Sequence, residues 1–233
     1  MSTAPSPNAS RDGDEEPRSA RKRRGILEAA RTLFLRNGYR GTSMDEIAGV
    51  AAVSKQTVYK HFADKKSLFS EIVTGTVNEA GDTVHDQVLK LQESGNLEAD
   101  LRGLARRQLA MVMQPQVLRL RRLVIAEAER FPELGRTFYE RGPGRTIAAL
   151  ATLFERLGTR GVLQLDDPHL AAEHFNWLVM SIPLNQAMLL GHDEPPSAPD
   201  LDRYADTGVQ VFLAAYGRHS SALSPATPGG ANE

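Results

Sequence analysis

Apolar residues recur at i, i+3, i+4 spacing along nearly the whole chain, and period-2 alternation is missing. That pattern confines the chain to an all-α fold, because helices with one apolar stripe must bury it against one another. The 233 residues suffice for one or two domains, at ~100–200 residues each. No internal repeat is visible.

The punctuation places the helices. The first runs from Arg18 to Asn37 on a stripe of Ile26, Leu27, Ala30, Leu33 and Phe34, and Gly38 sits where a left-handed cap is needed. Ser43, with Glu46 three residues on, makes a capping box for a short second helix. Ser54 caps a third from Lys55 to about Phe62. Asp64 caps a long fourth that can reach Leu91, a span of ~42 Å at 1.5 Å per residue. Further helices are read at 97–113, 115–130, 132–141, 143–158, 168–190 and 200–217, four of them opened by Pro115, Pro132, Pro143 and Pro168. Residues 1–17 and the tail 220–233 lack apolar periodicity and are expected to be disordered.

Charge divides the chain in the same way. The net charge is −3 over residues 1–17, +8 over 18–66 and −6 over 67–233. A basic head joined to an acidic body points to a polyanion as partner of the head alone. Cysteine is absent, which excludes a disulfide framework, a thiol nucleophile and Cys-ligated metal. No run of ~18 apolar residues exists to span a membrane, and Glu28 and Arg31 interrupt any secretory apolar region, so the expected compartment is the cytoplasm. There is no P-loop, G-x-G-x-x-G or G-x-S-x-G, and no cofactor is expected. His169, Glu173 and His174 form H-x-x-x-E-H, which matches neither zinc-helix spacing and is read as a solvated face.

Three short helices with a tight turn between the last two make a helix-turn-helix. If Val53, Val58 and Phe62 pack inward, then Lys55, Gln56, Thr57, Tyr59, Lys60 and His61 are left outward. That set offers donors for base edges and phosphate, and a B-DNA major groove admits one such helix. Arg18, Arg21, Lys22, Arg23 and Arg24 could track phosphates or enter a minor groove.

The run Thr42-Ser43-Met44-Asp45-Glu46-Ile47-Ala48, then Val53 to Phe62, then Lys65 and Leu68-Phe69, resembles the DNA-binding domain of the TetR family of transcriptional regulators. The resemblance implies that Thr42 and Lys65 bind phosphate and that Tyr59 and His61 touch backbone or base. It leaves Lys55, Gln56, Thr57 and Lys60 as readers. The chain departs from the family at Ala52, where glycine is usual; a positive φ there costs ~1 kcal/mol. Leu123 to Glu127 and Arg130 to Leu134 are similar to the C-terminal domain of AefR-like members, which implies a homodimer and a small-molecule pocket.

The helix from Pro168 is apolar nearly all round. Its line His174, Trp177, Ser181, Asn185 is the sequence candidate for an effector site, and Pro183 should kink it. Small Ala205 and Gly208 in the last helix permit close approach and suggest a dimer bundle. The expectation is a helix-turn-helix domain at 18–66 and a helical ligand-binding and dimerisation domain at 67–219. Its function would be a ligand-responsive regulator of double-stranded operator DNA, most simply a repressor; an activator or a ligand-independent regulator has the same fold.

Overall fold

The computed structural model of the chain describes residues 17–90, 96–190 and 196–218, and within 80–90 only the side chain of Val88. The segments 1–16 and 219–233, and Leu91, lie outside the described residues. The described chain forms two units, divided after Ile72. Among the described residues there are ten α-helices, and the β-structure is one isolated bridge between Leu163 and Gly217. No described helix is long and apolar enough to cross a membrane.

The first unit is built from α1 (Arg18–Asn37), α2 (Met44–Val50), α3 (Lys55–His61) and the start of α4 (Lys65–Lys90). Helix α1 buries Ile26, Ala29, Ala30, Leu33 and Phe34 and stops at Gly38, whose φ is 74°. The Ser43–Glu46 capping box is formed: Ser43 N–H donates to Glu46 Oε2 at 2.9 Å, and Glu46 N–H to Ser43 Oγ at 3.2 Å. Ser54 accepts from the Thr57 N–H at 3.1 Å. Asp64 and Ser67 exchange backbone-to-side-chain bonds at the start of α4, and the Ser67 N–H holds the Asp64 carboxyl below its usual range. Phe34, Tyr39 and Phe69 meet at the centre, with ring centroids 5.1–5.8 Å apart. Burying each such ring contributes about 1.5–3 kcal/mol.

Ala52, in the turn between α2 and α3, has φ 52°. Left-handed backbone costs an L-residue with a Cβ about 1–2 kcal/mol, part of which glycine returns through the entropy of the unfolded chain. Ala52→Gly should therefore stabilise the head by about 0.5–1 kcal/mol. An unchanged denaturation midpoint would show that the turn bears no strain.

The second unit contains the rest of α4, then α5 (Leu97–Val112), α6 (Pro115–Glu127), α7 (Pro132–Tyr139), α8 (Arg145–Thr159), α9 (Pro168–Leu189) and α10 (Ala198–Tyr216). Asn96, Asp167 and Ser197 cap α5, α9 and α10. Helix α8 begins two residues later than its proline suggests. Pro143 bars helical geometry at the residue before it, and Gly142 takes φ −94°, ψ −105° in a wide turn over Glu140–Gly144. Helix α9 continues past Pro183, which is buried. The core is a ring cluster of Phe154, Phe175 and Phe212, centroids 4.9–5.7 Å apart. Arg106 joins α5 to α10 through both oxygens of Asp206, at 2.8 and 2.5 Å. That bond lowers the Asp206 pKa.

Ala205 and Gly208 do permit close approach, but inside the chain. Both are buried, and a Cβ on Gly208 would stand 3.0 Å from the Leu178 carbonyl oxygen. Gly208 serves the α9–α10 contact within the chain. What those helices leave exposed is larger: Leu178, Ile182 and Leu189 on α9 and Val211 on α10.

Candidate nucleic-acid interface and effector cavity

Helix α3 has one face in the core and one in solvent. Val58 is 0% and Phe62 3% exposed, so the helix is pinned at its middle and at its end. Gln56, Tyr59 and Lys60 stand exposed on the other face. The remaining candidates are already engaged. Lys55 Nζ lies 2.8 and 3.1 Å from the two carboxylate oxygens of Asp45 on α2, and that hydrogen bond raises its pKa. Lys55 must leave this exposed pair before it can touch a base. The Thr57 hydroxyl is 2.8 Å from that of Ser54, which ties it to the cap. His61 is half-buried, its ring 6.4 Å from that of Phe62.

Two residues assigned to phosphate by resemblance have other work in this chain. Thr42 is 2% exposed, and its hydroxyl donates to the Gly38 carbonyl at 2.9 Å. A phosphate oxygen needs a donor, and this one is spent on the α1–α2 loop. Lys65 Nζ donates to the carbonyls of Tyr39 and Thr42 at 2.9 and 2.8 Å and sits 4.5 Å from the Tyr39 ring centre. An ammonium has three donors, so one is left over. Lys65→Ala is expected to lower the stability of the head by about 1–3 kcal/mol, the usual worth of hydrogen bonds to a charged group. Thermal unfolding measures it; an unchanged midpoint would mean that the clamp holds nothing.

The basic residues 18–24 occupy the first two turns of α1. Arg23 pairs with Glu71 and lies 5.2 Å from the Phe62 ring centre. An α-helix with side chains is about 10–12 Å across, whereas a minor groove is about 6 Å wide. These residues form a basic helical surface, and the reading of an arm threaded into the minor groove gives way to it.

The second unit holds a mostly apolar cavity that opens to solvent. Its walls come from α4 (Val77), α5 (Gln108, Met111, Val112), α6 (Val117, Arg121), Phe138 of α7, the Gly142–Pro143 turn, Thr146 of α8, and α9. The α9 contribution is Asn176, Trp177, Met180 and Leu184. Of the four residues drawn from the sequence, only Trp177 lines it. His174 is exposed and lies 2.6 Å from the Tyr216 hydroxyl. Ser181 and Asn185 are exposed, and the Asn185 amide donates to the Ser181 carbonyl at 2.8 Å. The polar line therefore faces outward, and the cavity takes the neighbouring register of the helix. Gln108, Asn176, Arg121 and Thr146 are the polar groups that the sequence did not single out. His169 and Glu173 are 4.0 Å apart at the start of α9, where 62% and 38% of their side chains are exposed.

Residues 26–72 match the family of bacterial regulatory proteins of the tetR type, and residues 99–218 match the C-terminal domain of AefR-like transcriptional repressors. A TetR-family transcriptional regulator from Mesorhizobium loti is 46% identical, with a TM-score of 0.81, over 87% of this chain and 100% of that one. The flavonoid-responsive regulator FrrA is 32% identical with a TM-score of 0.67, over 86% and 100%. The transcriptional regulator AcrR of Shigella flexneri is 33% identical over 105 residues, 45% of this chain and 46% of that protein. The chain spans less than half the length of the curated relatives it matches. With both matches falling on the two structural units described above, the chain belongs to the TetR family of DNA-binding transcriptional regulators and carries an AefR-like C-terminal domain.

Proposed function

We propose that the chain is a repressor that binds a near-palindromic operator as a homodimer and is released by a small molecule held in the second unit. The observation that carries this reading is α3: a helix pinned by Val58 and Phe62, with Gln56, Tyr59 and Lys60 exposed on its free face. Glutamine suits the adenine N6/N7 edge and lysine the guanine O6/N7 edge. The spare donor of Lys65 and the basic face of α1 supply the phosphate contacts that set register. Repression is favoured over activation because blocking a promoter needs only occupancy, and because the C-terminal match is to repressors.

Dimerisation is supported by the exposed apolar face of α9 and α10. Leu178, Ile182 and Leu189 lie within about three turns of one helix, Val211 is exposed on the next, and such apolar exposure marks an interaction surface. Two copies would place two recognition helices about one helical turn apart, ~34–36 Å. Ile182→Glu should convert the protein to a monomer and abolish operator binding at concentrations where the wild type is saturated. Sedimentation of the full chain, alone and on duplex, measures both; a wild type that is monomeric in either state contradicts the reading.

Release by a ligand is supported by α4. It carries Lys65, which grips the head, and Val77, which lines the cavity. A ligand acts only through a difference in affinity between the DNA-competent and DNA-free states. A 100-fold loss of operator affinity corresponds to about 2.7 kcal/mol of coupling. The operator must weaken ligand binding by the same factor.

A further inference from the structure

The cavity contains an arginine that no acid balances among the described residues. Arg121 of α6 lines the wall, its guanidinium 5.1 Å from the Phe138 ring centre, and its Nε is buried without a hydrogen-bond partner. Among the described residues no carboxylate pairs with it. Burial draws its pKa below the ordinary guanidinium value, yet a guanidinium stays protonated in a protein. Beside it, Gln108 is 4% exposed. Its amide nitrogen donates to Asn176 Oδ1 at 3.0 Å, while its Oε1 is buried with no partner. The rest of the wall is mostly apolar, Met180 and Leu184 included.

An unbalanced charge and an unmet acceptor in one apolar chamber are costly to the empty protein. Both costs fall when a complementary molecule enters. A guanidinium fork matches a planar carboxylate or a sulfonate better than any neutral group. Gln108 Oε1 asks for a donor such as a hydroxyl or amine. The apolar walls ask for a body of hydrocarbon or aromatic character.

We propose that the cavity binds an amphipathic organic anion, with its acidic group against Arg121, a donor toward Gln108 and its apolar body along Met180 and Leu184. This deepens the reading of the second unit as an effector-binding module and rests on it. The same charge explains the selectivity expected of such a site: a neutral analogue leaves Arg121 as unbalanced as it was before.

Two dyes test this on the full-length protein. 8-Anilinonaphthalene-1-sulfonate and N-phenyl-1-naphthylamine share one ring system and differ by the sulfonate. Both are titrated by fluorescence at physiological salt, with energy transfer from Trp177, itself in the wall, reporting occupancy of the cavity. The ratio of sulfonate to neutral affinity should fall at least tenfold in Arg121→Met and be largely kept in Arg121→Lys. Gln108→Glu, which puts a carboxylate in the chamber without touching Arg121, should lower the ratio as well and stands in if Arg121→Met does not fold. A ratio unchanged in Arg121→Met and Gln108→Glu overturns the anion assignment while leaving an effector site for neutral molecules. Absence of saturable, Trp177-coupled binding of either dye overturns the effector reading together with it.

Discussion

Replacing Gln56, Tyr59 and Lys60 together with alanine is expected to reduce operator affinity by about 10²–10⁴-fold while leaving the fold intact. A good base contact is worth about 1–3 kcal/mol, and three neighbouring residues, not fully additive, amount to about 3–5 kcal/mol. All three are exposed, and the residues that pin α3, Val58 and Phe62, are untouched. Exposed substitutions of this kind shift stability by about 0.5 kcal/mol or less. Binding to unrelated duplexes should fall much less, with a salt slope shallower by about one counterion for the loss of Lys60. Fluorescence anisotropy on matched and shuffled duplexes, with thermal unfolding alongside, separates these effects. Equal losses on both duplexes would assign the three residues to the backbone.

Phe212→Ala should destabilise the second unit by about 3–5 kcal/mol, the usual cost of removing a buried ring and leaving its cavity. Phe212 is 0% exposed and lies 4.9 Å from the Phe154 ring, 5.2 Å from Phe175 and 4.9 Å from Tyr216. The substitution therefore opens the meeting point of α8, α9 and α10. Phe212→Leu, which keeps most of the volume, should cost about 1.5 kcal/mol or less. Urea denaturation of the two variants measures the difference, and similar midpoints would mean that the cluster collapses to refill the space.

The helices were legible because their ends carry local chemistry. The Ser43–Glu46 box, the Ser54 cap, the Asp64–Ser67 exchange and the opening prolines at 115, 132 and 168 all act within four residues. Errors begin where an outcome depends on a distant partner. Pro143 reads equally well as a first helical residue and as a kink, and the chain takes the kink at Gly142. Gly208 announces a close approach without saying to what; the answer is the backbone of Leu178 in the same chain.

The candidate sites divide along the same line. The inward Val58 and Phe62 and the outward Gln56, Tyr59 and Lys60 follow from helical period alone. The clamps made by Thr42 and Lys65 end on backbone carbonyls, which no side-chain pattern encodes. Helix α9 is apolar nearly all round, so periodicity offered several lines of polar residues with no rule for choosing among them. The cavity uses Asn176 and Trp177, and His174, Ser181 and Asn185 lie outside its lining. Arg121 sits beside Arg122 in a helix of mixed character, and nothing in the sequence marks it as the one that lines the cavity.

Operator recognition rests on a helix-turn-helix that distinguishes one duplex from another. Its most direct test is to select duplexes from a random pool with the full-length chain, then compare affinities for the winner and a shuffled duplex of equal composition at physiological salt. The prediction is a near-palindromic winner with half-sites about 10–10.5 base pairs apart, two chains per duplex, and a preference of about 10³-fold or more. Equal affinity for both duplexes, or a pool with no enriched sequence, would contradict it.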